Sequence, residues 1–385
     1  GLFFVRIPTL DRLTILGGAF TLWVVIASFW GPEAEGLLVG DLGAGSFSIE
    51  MPGVRFALTA LAGLGIFVVT GGVMTGTSQR SLNTIVGAGF VHFLSVVITA
   101  LFMAQILALL APISDPVHEM PQNVKRNANA FLMLLPFLLA WVWHRRLERK
   151  WAYTAIGMGL VSFAAFVVTG TQTALMGMVL MLVTMAVVKH FPTNGFKIIC
   201  GTLAAYIMAT PILFSVGVAR LRDMGMPLPE SFFSRSYSWE LVGTKIAESP
   251  ILGHGPEASQ TWTDTFGDHP EWLADAAARY GSEYAWEVYR VIPIHPHNMS
   301  LQIWAETGLI GALLAASFLV ALGWRLKAPS DWPPISRYAT AGLIGACIAI
   351  CSFSYSMWNE AFWGSVILAS AVIFLQARQD GRDEA

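Results

Sequence analysis

Stretches of about 20 predominantly apolar residues recur ten times along the chain, at roughly 13–30, 56–73, 82–111, 127–143, 151–169, 172–188, 198–219, 298–322, 338–357 and 360–377. A helix needs about 20 residues to cross a hydrocarbon core of about 30 Å, and in lipid every backbone N–H and C=O must be satisfied within the chain. The pattern therefore predicts an all-α polytopic membrane protein with about ten, up to twelve, transmembrane helices. Composition agrees: 55% of the 385 residues are hydrophobic, mean hydropathy is +0.59, and 12% are charged, about half the share usual in soluble domains. The 23 Lys+Arg and 25 Asp+Glu nearly cancel, so no basic field directs the chain to nucleic acid. Cys200, Cys347 and Cys351 each sit inside an apolar run. They read as small buried hydrophobes, not as a disulfide framework or a metal site. The stretch 82–111 exceeds one crossing and predicts a tilted helix or a span followed by an interfacial turn. Pro136 and Pro211 fall inside spans, where kinks are tolerated.

Lys and Arg in short loops stay cytoplasmic. With the N-terminus inside, Arg6, Arg12, Arg80, Arg145, Arg146, Arg149, Lys150, Lys189, Lys197, Arg325, Lys327, Arg337, Arg378 and Arg382 all lie inside, against Arg55, Lys125 and Arg126 in short outer loops. Both termini are then cytoplasmic. The first apolar run, followed by Phe29-Trp30-Gly31-Pro32 and no small-residue cleavage site, is expected to be a retained span. Three regions follow: an N-terminal transmembrane bundle of about seven spans (1–219), an outer loop domain (220–297), and about three C-terminal spans with a cytoplasmic tail (298–385). The loop holds six basic and eleven acidic residues, so an anionic ligand there must meet individual arginines. Its aromatic residues, such as Tyr237, Trp239, Trp262, Trp272, Trp286 and Tyr289, suit an ordered cap at the membrane interface, where aromatic belts form.

No Walker A sequence, strand-linked dinucleotide fingerprint or HExxH occurs. Among acidic residues only Glu306 falls in the interior of a span, Glu360 standing at the very edge of the last, whereas ion-coupled transporters keep several ionisable groups at membrane depth. Glu306 is either a structural clasp to a neighbouring helix or part of the site. The densest polar cluster runs from Ile294 through His295, Pro296, His297, Asn298 and Ser300 to Gly308 and Gly311. It places a titratable base at a helix N-terminus, whose free N–H groups attract anions.

This cluster resembles the signature of the O-antigen ligase and O-antigen polymerase superfamily: His followed by Asn, Ser or Gln, then, nine residues on, Gly-x-x-Gly. His297-Asn298 and Gly308-Leu-Ile-Gly311 match it in full. Upstream, Ser234-Arg235-Ser-Tyr-Ser-Trp239 and Pro250-Ile-Leu-Gly253-His-Gly255 resemble the family's Arg…Trp…Pro-Leu-Leu-Gly-x-Gly stretch. Lys125-Arg126-Asn127 and Tyr355-Ser-Met-Trp358 are similar more loosely. Two departures stand out. Thr169-Gly-Thr-Gln172 replaces a Thr-Gly-Ser-Arg of many relatives, and those relatives commonly have about twelve spans. The resemblance implies an inner-membrane glycosyltransferase that moves a glycan from an undecaprenyl-diphosphate carrier to an acceptor hydroxyl at the periplasmic face, without nucleotide or cofactor and generally without metal. It implies His297 as general base, Arg235 as first cation for the diphosphate, and Arg220, Arg222, Arg126, Arg290, His295, Asn298 and Trp239 as further donor or glycan contacts. Gly253, Gly255, Gly308 and Gly311 are its structural motif, the last two letting a neighbouring helix pack closely. The acceptor expected for the ligase is the lipid A core. A polymerase, a protein O-oligosaccharyltransferase and a multispan transporter or flippase are the alternatives.

Overall fold

The computed structural model describes residues 11–32, 51–72, 78–111, 120–144, 148–228, 230–281, 285–326 and 333–383. Of the residues used for the topology, Arg6, Arg145, Arg146 and Lys327 lie outside these. The apolar runs become helices, the conformation that satisfies a backbone in lipid without a partner strand. In chain order the first eight are α1 Arg12–Ala27, α2 Pro52–Gly72, α3 Ser78–Leu101, α4 Met103–Leu110, α5 Met120–His144, α6 Arg149–Val168, α7 Gln172–His190 and α8 Gly195–Thr210. The rest are α9 Glu230–Glu248, α10 Pro270–Tyr280, α11 Met299–Arg325, α12 Pro334–Phe353 and α13 Glu360–Asp383. Nine described segments are long and apolar enough to cross a membrane, and Pro52–Phe67 adds a shorter apolar helix in the remaining window, 56–73. The long stretch 82–111 is a span plus a turn: the helix breaks at Phe102 (φ −122°, ψ 26°) and restarts as α4. Pro211 does more than kink its span. It opens a π-helical segment, Pro211–Val218, that continues α8 through Ala219–Asp223, because proline removes a donor from the i→i−4 ladder.

The centre of the bundle is α5 and α12, the most enclosed of the spans; α12 packs along both α7 and α5. Thr184 of α7 donates its hydroxyl across the interface to the Ala341 carbonyl (2.7 Å), a contact favoured where no water competes. The perimeter carries exposed Leu22, Val91, Leu160, Leu182 and Ile212, as a lipid-facing surface must. Cys200 is buried, Cys347 and Cys351 are half-buried, and all three are free.

The segment 220–297 is woven into the bundle and does not merely rest on it. Helix α9 packs against the π-helical segment and α11, and its buried residues Phe233, Tyr237, Trp239 and Val242 share one apolar cluster with Leu301 and Ala305 of α11. Helix α10 closes the outside of this cluster, Tyr237 Oη donating to the Asp275 carboxylate.

Candidate active site

Helix α9 sets the site by its periodicity. Arg235 and Trp239 are four residues apart and so share one face. Trp239, fully buried between Phe214 and Phe232, donates its indole N–H to the Pro296 carbonyl (2.9 Å). One residue earlier, the Ser238 hydroxyl donates to the Val291 carbonyl. The irregular stretch 291–297 is thereby laid along α9, and its two histidines come to rest beside Arg235.

His297 is held at φ +52°, the left-handed region that non-glycine residues seldom occupy and that marks functional sites when it persists. Its ring Nδ1 lies 3.0 Å from the Ser354 carbonyl. A carbonyl only accepts, so Nδ1 carries the proton and, in the neutral ring, Nε2 carries the lone pair. Its backbone N–H donates to His295 Nδ1 (3.1 Å), and the two rings lie 4.3 Å apart. Burial, then the charge of Arg235, pushes the His297 pKa below its ordinary value of 6.5. Burial, with the charges of His297 and Arg235, pushes His295 down to about 3. Both rings are therefore neutral near pH 7.

Asn298 caps α11 by accepting from the Leu301 N–H (3.0 Å), while its amide donates to Tyr206 of α8 (3.2 Å). Tyr206 in turn donates to Ser352 of α12 (3.2 Å). Three helices are thus pinned at the residue that follows His297. Asn298 is fully buried and both ends of its side chain are engaged.

The arginines divide sharply. Arg235 is half-buried, and burial lowers its pKa; it makes no hydrogen bond or ion pair to any described residue. Arg222 is consumed by Glu240 (2.8 Å), Asp223 (2.8 Å) and the Ser236 hydroxyl (3.2 Å), with its guanidinium over the Tyr237 ring. Arg290 is exposed beside the Thr265 bridge, 3.4 Å from the Gln260 carbonyl. Arg220 is exposed at the end of the α8 continuation. Arg126, exposed in α5, lies where its charge acts on Tyr355. That residue follows Ser354, and the Asn129 amide also reaches the Ser354 hydroxyl (3.5 Å).

Gly311 faces Trp23 of the neighbouring α1, 3.4 Å from an added Cβ, in keeping with the expected helix packing, but Gly308 does something else. Helix α11 breaks at Gly308 (φ 66°, ψ −167°), and the turn 250–255 inserts its backbone into the gap. Leu309 N–H donates to Pro250 O (2.9 Å) and Ile310 N–H to Ile251 O (3.4 Å); from the other side His254 N–H donates to Ala305 O (2.9 Å) and Gly255 N–H to Glu306 O (2.8 Å). Trp23 of α1 donates to Thr307 O (2.9 Å) and Trp30 to Gly253 O (3.2 Å). The groups freed by the break are thus paired inside protein, the condition for irregular backbone at membrane depth. A Cβ at Gly308 would stand 2.2 Å from Ile251 O, and one at Gly253 2.5 Å from the Glu306 carbonyl carbon. At Gly311 the clash is within α11 itself, 1.9 Å from the Thr307 hydroxyl.

Glu306 is fully buried and acts as the clasp. It accepts from Glu257 N–H (2.8 Å), Ser259 N–H (3.3 Å), Ser259 Oγ (2.6 Å), Gln302 Nε2 (3.2 Å) and Trp358 Nε1. A carboxylate can accept from all five; an amide cannot. Glu306→Gln is expected to leave at least one buried donor facing an N–H and to cost about 2–3 kcal/mol. A thermal-unfolding comparison in one detergent checks this, and an unchanged midpoint would remove the clasp.

With this geometry, a family model described as O-antigen ligase matches residues 123–316, half of the chain. The chain belongs to the O-antigen ligase family. Curated relatives named "putative polysaccharide ligase" are similar to it. One from Rickettsia conorii is 27% identical over 190 residues, 48% of this chain and 42% of that protein. One from Rickettsia typhi is 24% identical over 243 residues, 62% of this chain and 49% of that protein. The chain thus spans less than half the length of the curated relatives it matches. No solved structure gives a match.

Of the residues singled out from sequence, this family member gathers His295, His297, Asn298, Trp239 and Arg235, with Arg126 nearby through Tyr355; Arg222, Arg290 and Arg220 make no described contact with the histidines. Gln172, at the family's arginine position, is exposed at the start of α7. Sequence reasoning missed Ser354, because its contribution is a backbone carbonyl. It also missed Tyr206 and Gln302, whose polar groups sit in runs read as lipid-spanning.

Proposed function

We propose that the chain transfers an undecaprenyl-diphosphate-linked O-antigen polysaccharide to a hydroxyl of the lipid A core at the periplasmic face of the inner membrane. The observation that carries this reading is one juxtaposition: an imidazole whose proton is committed to the Ser354 carbonyl, beside a half-buried guanidinium that makes no hydrogen bond or ion pair among the described residues. His297 Nε2 takes the acceptor's proton, and neutral imidazole is the base suited to this near pH 7. Arg235 takes the diphosphate, whose charge grows as the glycosidic carbon leaves it, and its planar fork suits two phosphate oxygens at once. Trp239 and Asn298 are positioning residues, fixing Pro296 and the start of α11. The step as proposed involves no nucleotide and no metal.

Arg235 is the test. Arg235→Lys is expected to lose at least tenfold in glycan transfer, because a point charge does not reproduce bidentate donation, and Arg235→Gln is expected to lose more. Transfer from a polyprenyl-diphosphate donor by the purified protein in proteoliposomes measures both. Full activity in Arg235→Lys and Arg235→Gln would remove Arg235 from the diphosphate site.

A further inference from the structure

The two neighbouring histidine rings carry their protons on opposite nitrogens. His295 Nδ1 accepts the backbone N–H of His297, so in the neutral ring the proton must sit on Nε2. His297 has the reverse tautomer, its Nδ1–H given to Ser354 O. Neither Nε2 makes a hydrogen bond to any described residue, the rings are 4.3 Å apart, both are half-buried, and Arg235 acts electrostatically on both. Two like residues thus offer unlike groups: a lone pair at His297 and an N–H at His295.

We propose that His295 is a second catalytic residue of this site, acting as a fixed neutral hydrogen-bond donor to the leaving diphosphate, with its Nε2–H directed at a phosphate oxygen beside Arg235. This rests on the glycan-transfer reading above. In the step, the acceptor O–H gives its proton to His297 Nε2 and its oxygen forms the new bond to the anomeric carbon. The bond from that carbon to the diphosphate oxygen breaks, and its electron pair leaves on the diphosphate. The added negative charge meets the Arg235 guanidinium and the His295 N–H. The products are the transferred glycan, the lipid diphosphate and a proton on His297 that passes to water. A preoriented donor at an oxygen that gains charge is worth roughly 10²–10³ in rate. A cationic imidazole is not required, in keeping with a ring whose pKa is pushed down to about 3.

Two substitutions separate this role from mere support of the His297 backbone. In His295→Asn the amide oxygen can take the place of Nδ1 and keep the bond to His297 N–H, but nothing replaces Nε2–H. In His295→Gln the amide nitrogen reaches the place of Nε2 and keeps the donor. The proposal expects His295→Asn to lose roughly 10²-fold in kcat and His295→Gln to retain at least tenfold more activity than His295→Asn. The acidic limb of the pH profile should stay in place in His295→Gln. Wild-type-like turnover in His295→Asn, or more turnover there than in His295→Gln, would overturn it. His297→Ala measured in parallel separates the two claims: an inactive His297→Ala with an active His295→Asn refutes only the donor, whereas an active His297→Ala refutes the reading of the site. Imidazole ¹⁵N spectra of the wild-type protein test the proposal independently of variant folding. They should show His295 as the Nε2–H tautomer and His297 as the Nδ1–H tautomer; Nδ1–H on His295 would overturn it.

Discussion

His297→Ala is expected to lower kcat for glycan transfer by roughly 10²–10⁴-fold while leaving the affinity for the lipid-diphosphate donor nearly unchanged. The loss falls on kcat because the imidazole acts on a proton that moves only in the transition state, and the donor is held by other groups. Structure is a lesser concern. The side-chain bond lost is the one to Ser354 O, and the segment remains tied down by Trp239 on Pro296 and by the Asn298 contacts to Leu301 and Tyr206. Single-turnover transfer in proteoliposomes, with donor binding measured separately, resolves the two quantities. Unimpaired transfer would take the general-base role away from His297.

Gly308→Ala is expected to be the most damaging single methyl group in the protein. At φ 66°, ψ −167° the backbone is in a region essentially reserved for glycine, at a cost of order 1–3 kcal/mol for any other residue. The added carbon would also stand 2.2 Å from Ile251 O and 2.7 Å from Gly253 N. Both are backbone atoms that cannot swing aside, so overpacking adds a further 1–3 kcal/mol. Relief by withdrawing the 250–255 turn would release the bonds that Leu309, Ile310, His254 and Gly255 make across the break. It would also pull Glu257 and Ser259 from Glu306. Low yield of folded protein, or a markedly lowered thermal midpoint, is the expected result. By contrast Gly18, with nothing within 4 Å of an added Cβ, should tolerate alanine, and the pair of variants makes the comparison internal. Equal stability of Gly308→Ala and Gly18→Ala would contradict the inserted-turn account.

Much of this arrangement could be read along the chain, and the exceptions have physical causes. The spans were legible because lipid leaves the backbone one inexpensive conformation; length left 82–111 open between a tilted helix and a span with a turn, which the break at Phe102 decides, and the π-helical segment at Pro211 goes beyond the tolerated kink that the sequence suggested. His297 and Arg235 were legible as candidates because their residue types and spacing match a family signature, and the structure brings them together. The break at Gly308 was not: Trp-Ala-Glu-Thr-Gly-Leu-Ile-Gly scans as uninterrupted helix, and what opens it is a turn some fifty residues earlier. The signal was present in the glycine pairs at 253/255 and 308/311, but only their meeting in space gives it meaning. Arg222 and Arg235 are indistinguishable by type; Glu240 and Asp223 neutralise the first, whereas the second has no ion-pair partner among the described residues. Glu306 could be read as clasp or site residue until its five donors were located.

In the proposed step a neutral His297, its pKa depressed by burial and by Arg235, faces the reacting groups. The direct test is kcat/KM against pH, which reports the free enzyme's ionisations. The base is active unprotonated and its pKa lies below 6.5. The midpoint of the acidic limb should therefore lie below pH 6.5, where the depressed pKa is crossed. Removing the nearby cation in Arg235→Gln should move the residual activity's acidic limb upward, toward 6.5, whereas Arg235→Lys, which keeps the charge, should leave it low. A limb at or above 6.5 in the wild type, or one unmoved by Arg235→Gln, would contradict the account.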